Sequence, residues 1–204
     1  MKVPRLTLGV LGALAAAATL AVALPARAQK PEAPKIGAPA PDFTLPPAAG
    51  GEPVALKDLL ARSKAVVVVF DATKCPYAIG YKGRVASMGK EYAGKGVAFV
   101  TINSNKTEPA AEVAEDAKKH GFAFPVLKDE GNKVADLYGA QKTPEIYVLD
   151  PKGTLLYRGR IDETHEDPQN VKSPDLRNAL EAILAGKPVP AAETKAFGCS
   201  IKRV

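Results

Sequence analysis

The sequence predicts an α/β fold, a mixed sheet flanked by helices that is built from a βαβ unit, a β-hairpin and a closing helix. Three observations carry that expectation. Ala65 to Phe70 holds four consecutive valines, a run that reads as a strand buried on both faces. A helical stretch and a second apolar run, Val97 to Ile102, follow it, so the two strands are expected to lie parallel with a right-handed crossover. Asp150-Pro151-Lys152-Gly153, set between two more apolar runs, marks a hairpin turn.

Taken in order, residues 1–28 read as a secretory signal: Lys2 and Arg5 are the positive start, Leu6 to Leu24 the apolar core, and Ala26-Arg27-Ala28 the cleavage site. The rival is an uncleaved membrane anchor, because the apolar run approaches bilayer length. Residues 29–53, rich in proline, alanine and glycine, form an extended leader with a short edge strand at Asp42 to Leu45. Residues 54–186 form the globular domain, which opens on an apolar patch, Val54 to Leu60, ending in a turn of helix. After the valine strand, Tyr81, Val85, Met88 and Tyr92 fall at i, i+4, i+7 and i+11, one face of a helix running to about Tyr92. Gly80, Gly83 and Gly89 weaken that helix by up to about 1 kcal/mol each relative to alanine.

Pro109 to His120 reads as a helix through Ala110, Val113, Ala114 and Ala117, stopped by Gly121. Its Lys118-Lys119-His120 end suits the negative end of a helix dipole. Phe122 to Leu127 is a short extended piece, and Asn132 to Tyr138 one or two helical turns. The hairpin strands are Ile146–Leu149 and Leu155–Arg158. Ser173-Pro174-Asp175 is a helix start, with serine as cap and proline first. Leu176, Leu180, Ile183 and Leu184 are that helix's buried face. Residues 187–204 are an uncovered tail carrying Cys199.

Charge narrows the function. The chain has 28 basic and 22 acidic side chains. Without Lys2, Arg5 and Arg27 of the signal segment, 25 remain against 22, a scattered excess with no basic run interleaved with aromatics. Nucleic acid is therefore not an expected partner. The two cysteines of an exported chain most simply form one disulfide. The domain is large enough to fold without such a staple, so they can equally be redox-active. His120 and His165 lack ligand spacing to either cysteine; no metal and no cofactor is expected. His165, in the acidic loop Asp162 to Asp167, reads as solvated.

Cys75 ends the polar loop after the valine strand and stands directly before Pro76, a residue favoured at the first helical position. A thiol there faces unpaired N–H groups and the positive end of a helix, which favour its nucleophilic thiolate form. Lys74 adds a cation if its side chain folds back. The alternative is an inert buried cysteine.

Cys75-Pro76, Thr143-Pro144 and Val148 to Gly153 resemble the thioredoxin-like fold. Thr73 to Tyr77, Gly96 to Asn105, Phe124 to Asp129, Tyr157 to Asp162, Leu184 to Val189 and Gly198 to Ile201 together resemble its redoxin branch. That branch is the alkyl hydroperoxide reductase/thiol-specific antioxidant superfamily, and the likeness is to exported bacterial members, from about Ile36 onward. The resemblance implies a thiol-disulfide oxidoreductase with Cys75 as nucleophile and Thr73, Lys74 and Pro76 supporting it. It also implies a cis Pro144 against the cysteine, a Thr143 backbone that pairs with an incoming chain, and a Thr143 hydroxyl that bonds the thiolate.

Two positions depart from the pattern. Ala78 stands where thioredoxins carry their second cysteine, so Cys199, on a mobile tail, is the candidate resolving thiol. Ala72 and Val68 stand where peroxiredoxins carry a threonine and a proline. A peroxide-reducing enzyme is the nearest alternative activity. A non-catalytic binding module with a fixed Cys75–Cys199 disulfide is the alternative of another class. The expected partners are a protein or small-molecule thiol or disulfide, or a hydroperoxide, together with an electron donor the sequence does not name. The expected location is the periplasm or the exterior, with membrane contact only if the signal segment stays attached.

Overall fold

The computed structural model describes Met1 and residues 33–204, so the expected signal segment lies outside the described residues. Two short strands, β1 (Thr44–Leu45) and β2 (Val54–Ala55), pair with each other and lead into α1 (Leu56–Ala61). The valine run forms β3 (Ala65–Asp71), and α2 (Pro76–Ala93) and β4 (Val97–Asn103) complete the βαβ unit. Then come α3 (Ala110–Lys119), β5 (Val126–Lys128), α4 (Lys133–Tyr138) and β6 (Lys142–Thr143). The hairpin is β7 (Glu145–Leu149) and β8 (Leu155–Gly159), followed by α5 (Asp175–Leu184) and β9 (Cys199–Ser200).

The main sheet has the order β5-β4-β3-β7-β8. β3 runs parallel to β4 and antiparallel to β7, so it is the strand at which the sheet changes from parallel to antiparallel. Both of its faces are covered, as the unbroken apolar run requires: Ala65 to Phe70 are 0% exposed. Val66, Val68 and Phe70 pack with Leu56, Tyr138 and Tyr147 on one side. Val67 and Val69 pack with Tyr81, Val85, Tyr92 and Leu180 on the other. The period-2 alternation of a strand thus assigns each residue to one of two helix layers.

The leader closes both edges of this sheet. Gly37 N–H donates to Leu155 O at 2.8 Å beside β8, and Ala48 N–H donates to Val126 O at 2.8 Å beside β5. Exposed edges invite pairing with other chains, and covering them removes that hazard. Two of the weakening glycines in α2 are explained by crowding. A Cβ at Gly80 would lie 2.4 Å from the carbonyl oxygen of His165, and one at Gly89 2.3 Å from the Phe124 ring. Lys82, 1% exposed, is neutralised inside by Asp71 at 2.9 Å and by Asp116, which ties α2 to the end of β3 and to α3.

Three expectations are corrected. α5 starts at Asp175, with Pro174 in the cap position; the Ser173 hydroxyl donates to the Asp175 carboxylate at 2.7 Å instead of capping a backbone N–H. His165 is not free in solvent: its ring lies 4.2 Å from that of Tyr77, over the first turn of α2. The segment after α5 is docked along its length. Ile201 enters the core at 5% exposure, Phe197 lies 6.0 Å from the Tyr77 ring, and Arg203 pairs with Asp136 at 2.8 Å. Its apolar anchors are few, but they are reinforced by backbone bonds that composition does not show.

Candidate active site

β3 and α2 together place Cys75. The strand is rigid because it is buried on both faces, and Cys75 is the N-cap of α2 with Pro76 at its first position. The thiol is buried, at 3% exposure. Its Sγ donates to the backbone carbonyl of Thr143 at 3.1 Å. The backbone N–H of Cys199 donates to the same sulfur at 3.4 Å. Three segments remote in sequence therefore meet at one sulfur.

Thr143 and Cys199 are directly opposed in the antiparallel pair β6–β9, and the Thr143–Pro144 peptide bond is cis. The backbone edge of Thr143, which the resemblance assigns to an incoming chain, is occupied here by the chain's own C-terminal strand. Gly198 makes that approach possible. Its φ is +142°, and a Cβ there would lie 2.1 Å from the Thr143 carbonyl oxygen.

The supporting residues are distributed differently from the expectation. Lys74 does not fold back onto the thiol; its ammonium bonds Glu112 at 2.9 Å and the Thr107 carbonyl. Thr73 donates through its hydroxyl to Glu112 at 2.8 Å. The Thr143 hydroxyl is buried without a hydrogen-bond partner, so Thr143 meets Cys75 through its main chain.

Two carboxylates that sequence reasoning missed hold the two halves of the site. Glu108 accepts the backbone N–H groups of Thr73 and Lys74, both at 3.0 Å, and the side-chain amides of Asn103 and Asn105. Glu145 accepts the N–H groups of Gln141 and Lys142 at 2.8 and 3.0 Å and the Tyr147 hydroxyl at 3.0 Å. One fixes the loop before Cys75 and the other the loop before Pro144. The only signal in the sequence was Glu145 directly after Thr143-Pro144; Glu108 had none.

Burial alone would raise the Glu108 carboxyl, but the hydrogen bonds from Asn103, Thr73 and Lys74 outweigh it and hold the group below its ordinary range. A depressed folded-state value stabilises the fold above pH 4.5, the ordinary glutamate value, and that contribution is lost as pH falls through the lower folded value. Glu108→Gln offers one acceptor oxygen to four donors, so it is expected to cost about 1–3 kcal/mol. Urea unfolding at pH 7 and pH 3 measures both effects: the variant should lose stability at pH 7, and its deficit against the parent should be smaller at pH 3. Equal losses at the two pH values would contradict this account.

Cys199 is half-buried, and its thiol is pushed up to about 11 by burial first and then by the Cys75 thiol and its charge. It therefore stays protonated beside Cys75 at neutral pH. Among the described residues no group of three or more histidine, cysteine or carboxylate side chains is placed to hold a metal ion.

A five-stranded mixed sheet with helices on both faces, a cysteine capping the helix after the central strand and a cis-proline loop behind it define a protein of the thioredoxin-like class. Within that class the chain belongs to the AhpC/TSA family, whose model matches residues 36–158. It is similar to the thiol-disulfide oxidoreductase ResA of Halalkalibacterium halodurans, 28% identical over 52% of this chain and 58% of the relative. The match thus spans less than two thirds of that relative's length. It is also similar to the chloroplastic peroxiredoxin Q of Sedum lineare, 32% identical over 67% of this chain and 78% of the relative. Among solved structures, a hypothetical protein of Sinorhizobium meliloti 1021 superposes with a TM-score of 0.78 at 34% identity, covering 85% of this chain and 97% of its own.

Proposed function

We propose that the protein is an exported thiol-disulfide oxidoreductase in which Cys75 attacks and Cys199 resolves. The observation that carries this reading is the Cys199 N–H on the Cys75 sulfur at 3.4 Å, held by strand pairing that needs no covalent link. Both cysteines are free thiols in this arrangement.

The Cys75 thiolate attacks one sulfur of a substrate disulfide, forms a mixed disulfide and expels the other sulfur as a thiolate. Cys199, deprotonated, then attacks the Cys75 sulfur, expels the second substrate thiolate and leaves a Cys75–Cys199 disulfide. Two electrons pass from the pair to the substrate, and a dithiol donor restores the pair. Cys75 loses its negative charge once it is bonded to substrate, which removes one of the causes that keep Cys199 protonated. Burial, the first cause of its raised value, persists, so Cys199 passes its proton to the first expelled substrate thiolate as it attacks.

A peroxide-reducing reading rests on the AhpC/TSA family and the likeness to peroxiredoxin Q. In that case the thiolate attacks a peroxide oxygen, releases the alcohol or water, and becomes a sulfenic acid that Cys199 condenses with, losing water. Ala72 and Val68, in place of threonine and proline, weigh against it.

The test is Cys199→Ser, treated with one equivalent of a small disulfide or of hydrogen peroxide and read by intact mass. The variant is expected to accumulate a mixed disulfide with the first oxidant, whereas the parent proceeds to the internal disulfide. Rapid accumulation of sulfenic acid with peroxide, and none of the mixed disulfide, would favour the peroxidase. Unchanged turnover of Cys199→Ser with donor present would remove Cys199 from the mechanism.

A further inference from the structure

The sheet edge beside Cys75 is filled by the protein's own chain. β9 lies antiparallel on β6, with Cys199 opposite Thr143 and Ser200 opposite Lys142. The Cys199 side chain packs against Ala72, Cys75 and Ala78, and only 3% of Cys75 stays exposed. Extended peptides bind such edges by adding a strand through main-chain hydrogen bonds. Here that added strand is already present.

The occupant is fastened well beyond the strand pair. Ile201 belongs to the core cluster that contains Val134, Tyr138 and Ala140, and its N–H donates to Gln141 O at 3.1 Å. Lys202 N–H donates to Asn105 Oδ1 at 2.7 Å, and its carbonyl accepts the Lys106 N–H at 2.9 Å. Val204 N–H donates to Asn132 Oδ1 at 2.9 Å. Asn105 in turn donates to Glu108 at 3.2 Å, so the tail is tied to the same carboxylate that fixes the loop before Cys75. A competing peptide would break all of these contacts, whereas pairing with Lys142 and Thr143 returns only the edge bonds.

We propose, resting on the oxidoreductase reading above, that Cys75 takes low-molecular-weight disulfides and that β9, anchored by Ile201, excludes disulfides held in extended polypeptide. A small disulfide needs a path to one sulfur and no sheet edge. The Cys75 thiolate bonds to one of its sulfurs, the other leaves as a thiolate, and Cys199 stays in place for the second step. Thr143 serves the protein's own strand, not an incoming chain.

Cys199→Ser keeps the β9 backbone and stops the reaction at the mixed disulfide, so it isolates the first step. Two disulfides with the same reacting atoms are compared in it: N,N′-diacetylcystine diamide, and the disulfide-linked dimer of a threonine-rich peptide of about nine residues with cysteine at its centre. Each rate, read by intact mass, is divided by the rate of the same disulfide with free cysteine. The peptide is expected to react at least about tenfold more slowly than the diamide, and within about threefold of it once Ile201→Asp is added. Gly198→Ala in the same background is a second way to open the edge, and it decides if Ile201→Asp does not fold. Equal corrected rates in Cys199→Ser, or a difference that neither variant narrows, overturns the proposal. Adducts from neither disulfide would sink the oxidoreductase reading and this proposal with it, an outcome distinct from equal adducts from both.

Discussion

Cys75→Ser is expected to abolish turnover, by a factor on the order of 10³ or more, while leaving the fold intact. A serine hydroxyl stays protonated at neutral pH and has no base beside it: the neighbours of this atom are the Thr143 carbonyl and the Cys199 N–H. The replacement is nearly isosteric with the 3% exposed cysteine, so the change in unfolding midpoint should be slight. The expected result is complete loss of disulfide reduction in a coupled assay, with unaltered circular dichroism. Residual turnover within tenfold of the parent would mean that Cys75 is not the nucleophile.

Gly198→Ala is the second large effect, and it acts without touching either sulfur. A methyl group at this position would lie 2.1 Å from the Thr143 carbonyl oxygen, and the backbone there has φ +142°, which alanine tolerates poorly. The obstacle is main chain on the strand before Pro144, held by Glu145, and it cannot swing aside as a flexible side chain would. The β9 strand must leave β6, at a cost of about 1–3 kcal/mol. Cys199 then loses its place over Cys75, and the rate of internal disulfide formation should fall on the order of 10²-fold, the usual penalty for a misplacement near 1 Å. Quench-flow alkylation after one equivalent of oxidant measures that rate. Formation at the parent rate would show that the docked tail does not set the encounter of the two thiols.

Much of the architecture was legible because it depends on local patterns. The valine run, the i, i+4, i+7, i+11 stripe of Tyr81 to Tyr92 and the Asp150–Gly153 turn each report a burial periodicity or a backbone angle that a few adjacent residues settle. Cys75 was legible for the same reason, since a strand end, a polar loop and Pro76 are all contiguous with it. The residues around it were not. Glu108 is 33 positions from Cys75 in the chain, and its role is to gather the N–H groups of Thr73 and Lys74, a duty that leaves no mark on its own neighbours. Adjacency to Cys75 suggests Lys74 as an electrostatic partner, whereas Glu112 in the first turn of α3 takes its charge.

The tail shows the same division most clearly. Its composition, with few apolar residues and a glycine before the cysteine, describes an uncovered and mobile segment. Its strand pairing with Lys142 and Thr143 comes from unpaired backbone groups on another segment, and backbone groups are identical in every sequence. Sequence alone therefore determined the class of fold, the central strand and the place of Cys75 between that strand and the next helix, because each is written in contiguous chemistry. Only the tertiary structure decided what stands opposite that sulfur: a main-chain edge at Thr143 and the protein's own second cysteine. Those contacts join residues 68 and 124 positions away from Cys75, and no local pattern encodes a meeting at that range.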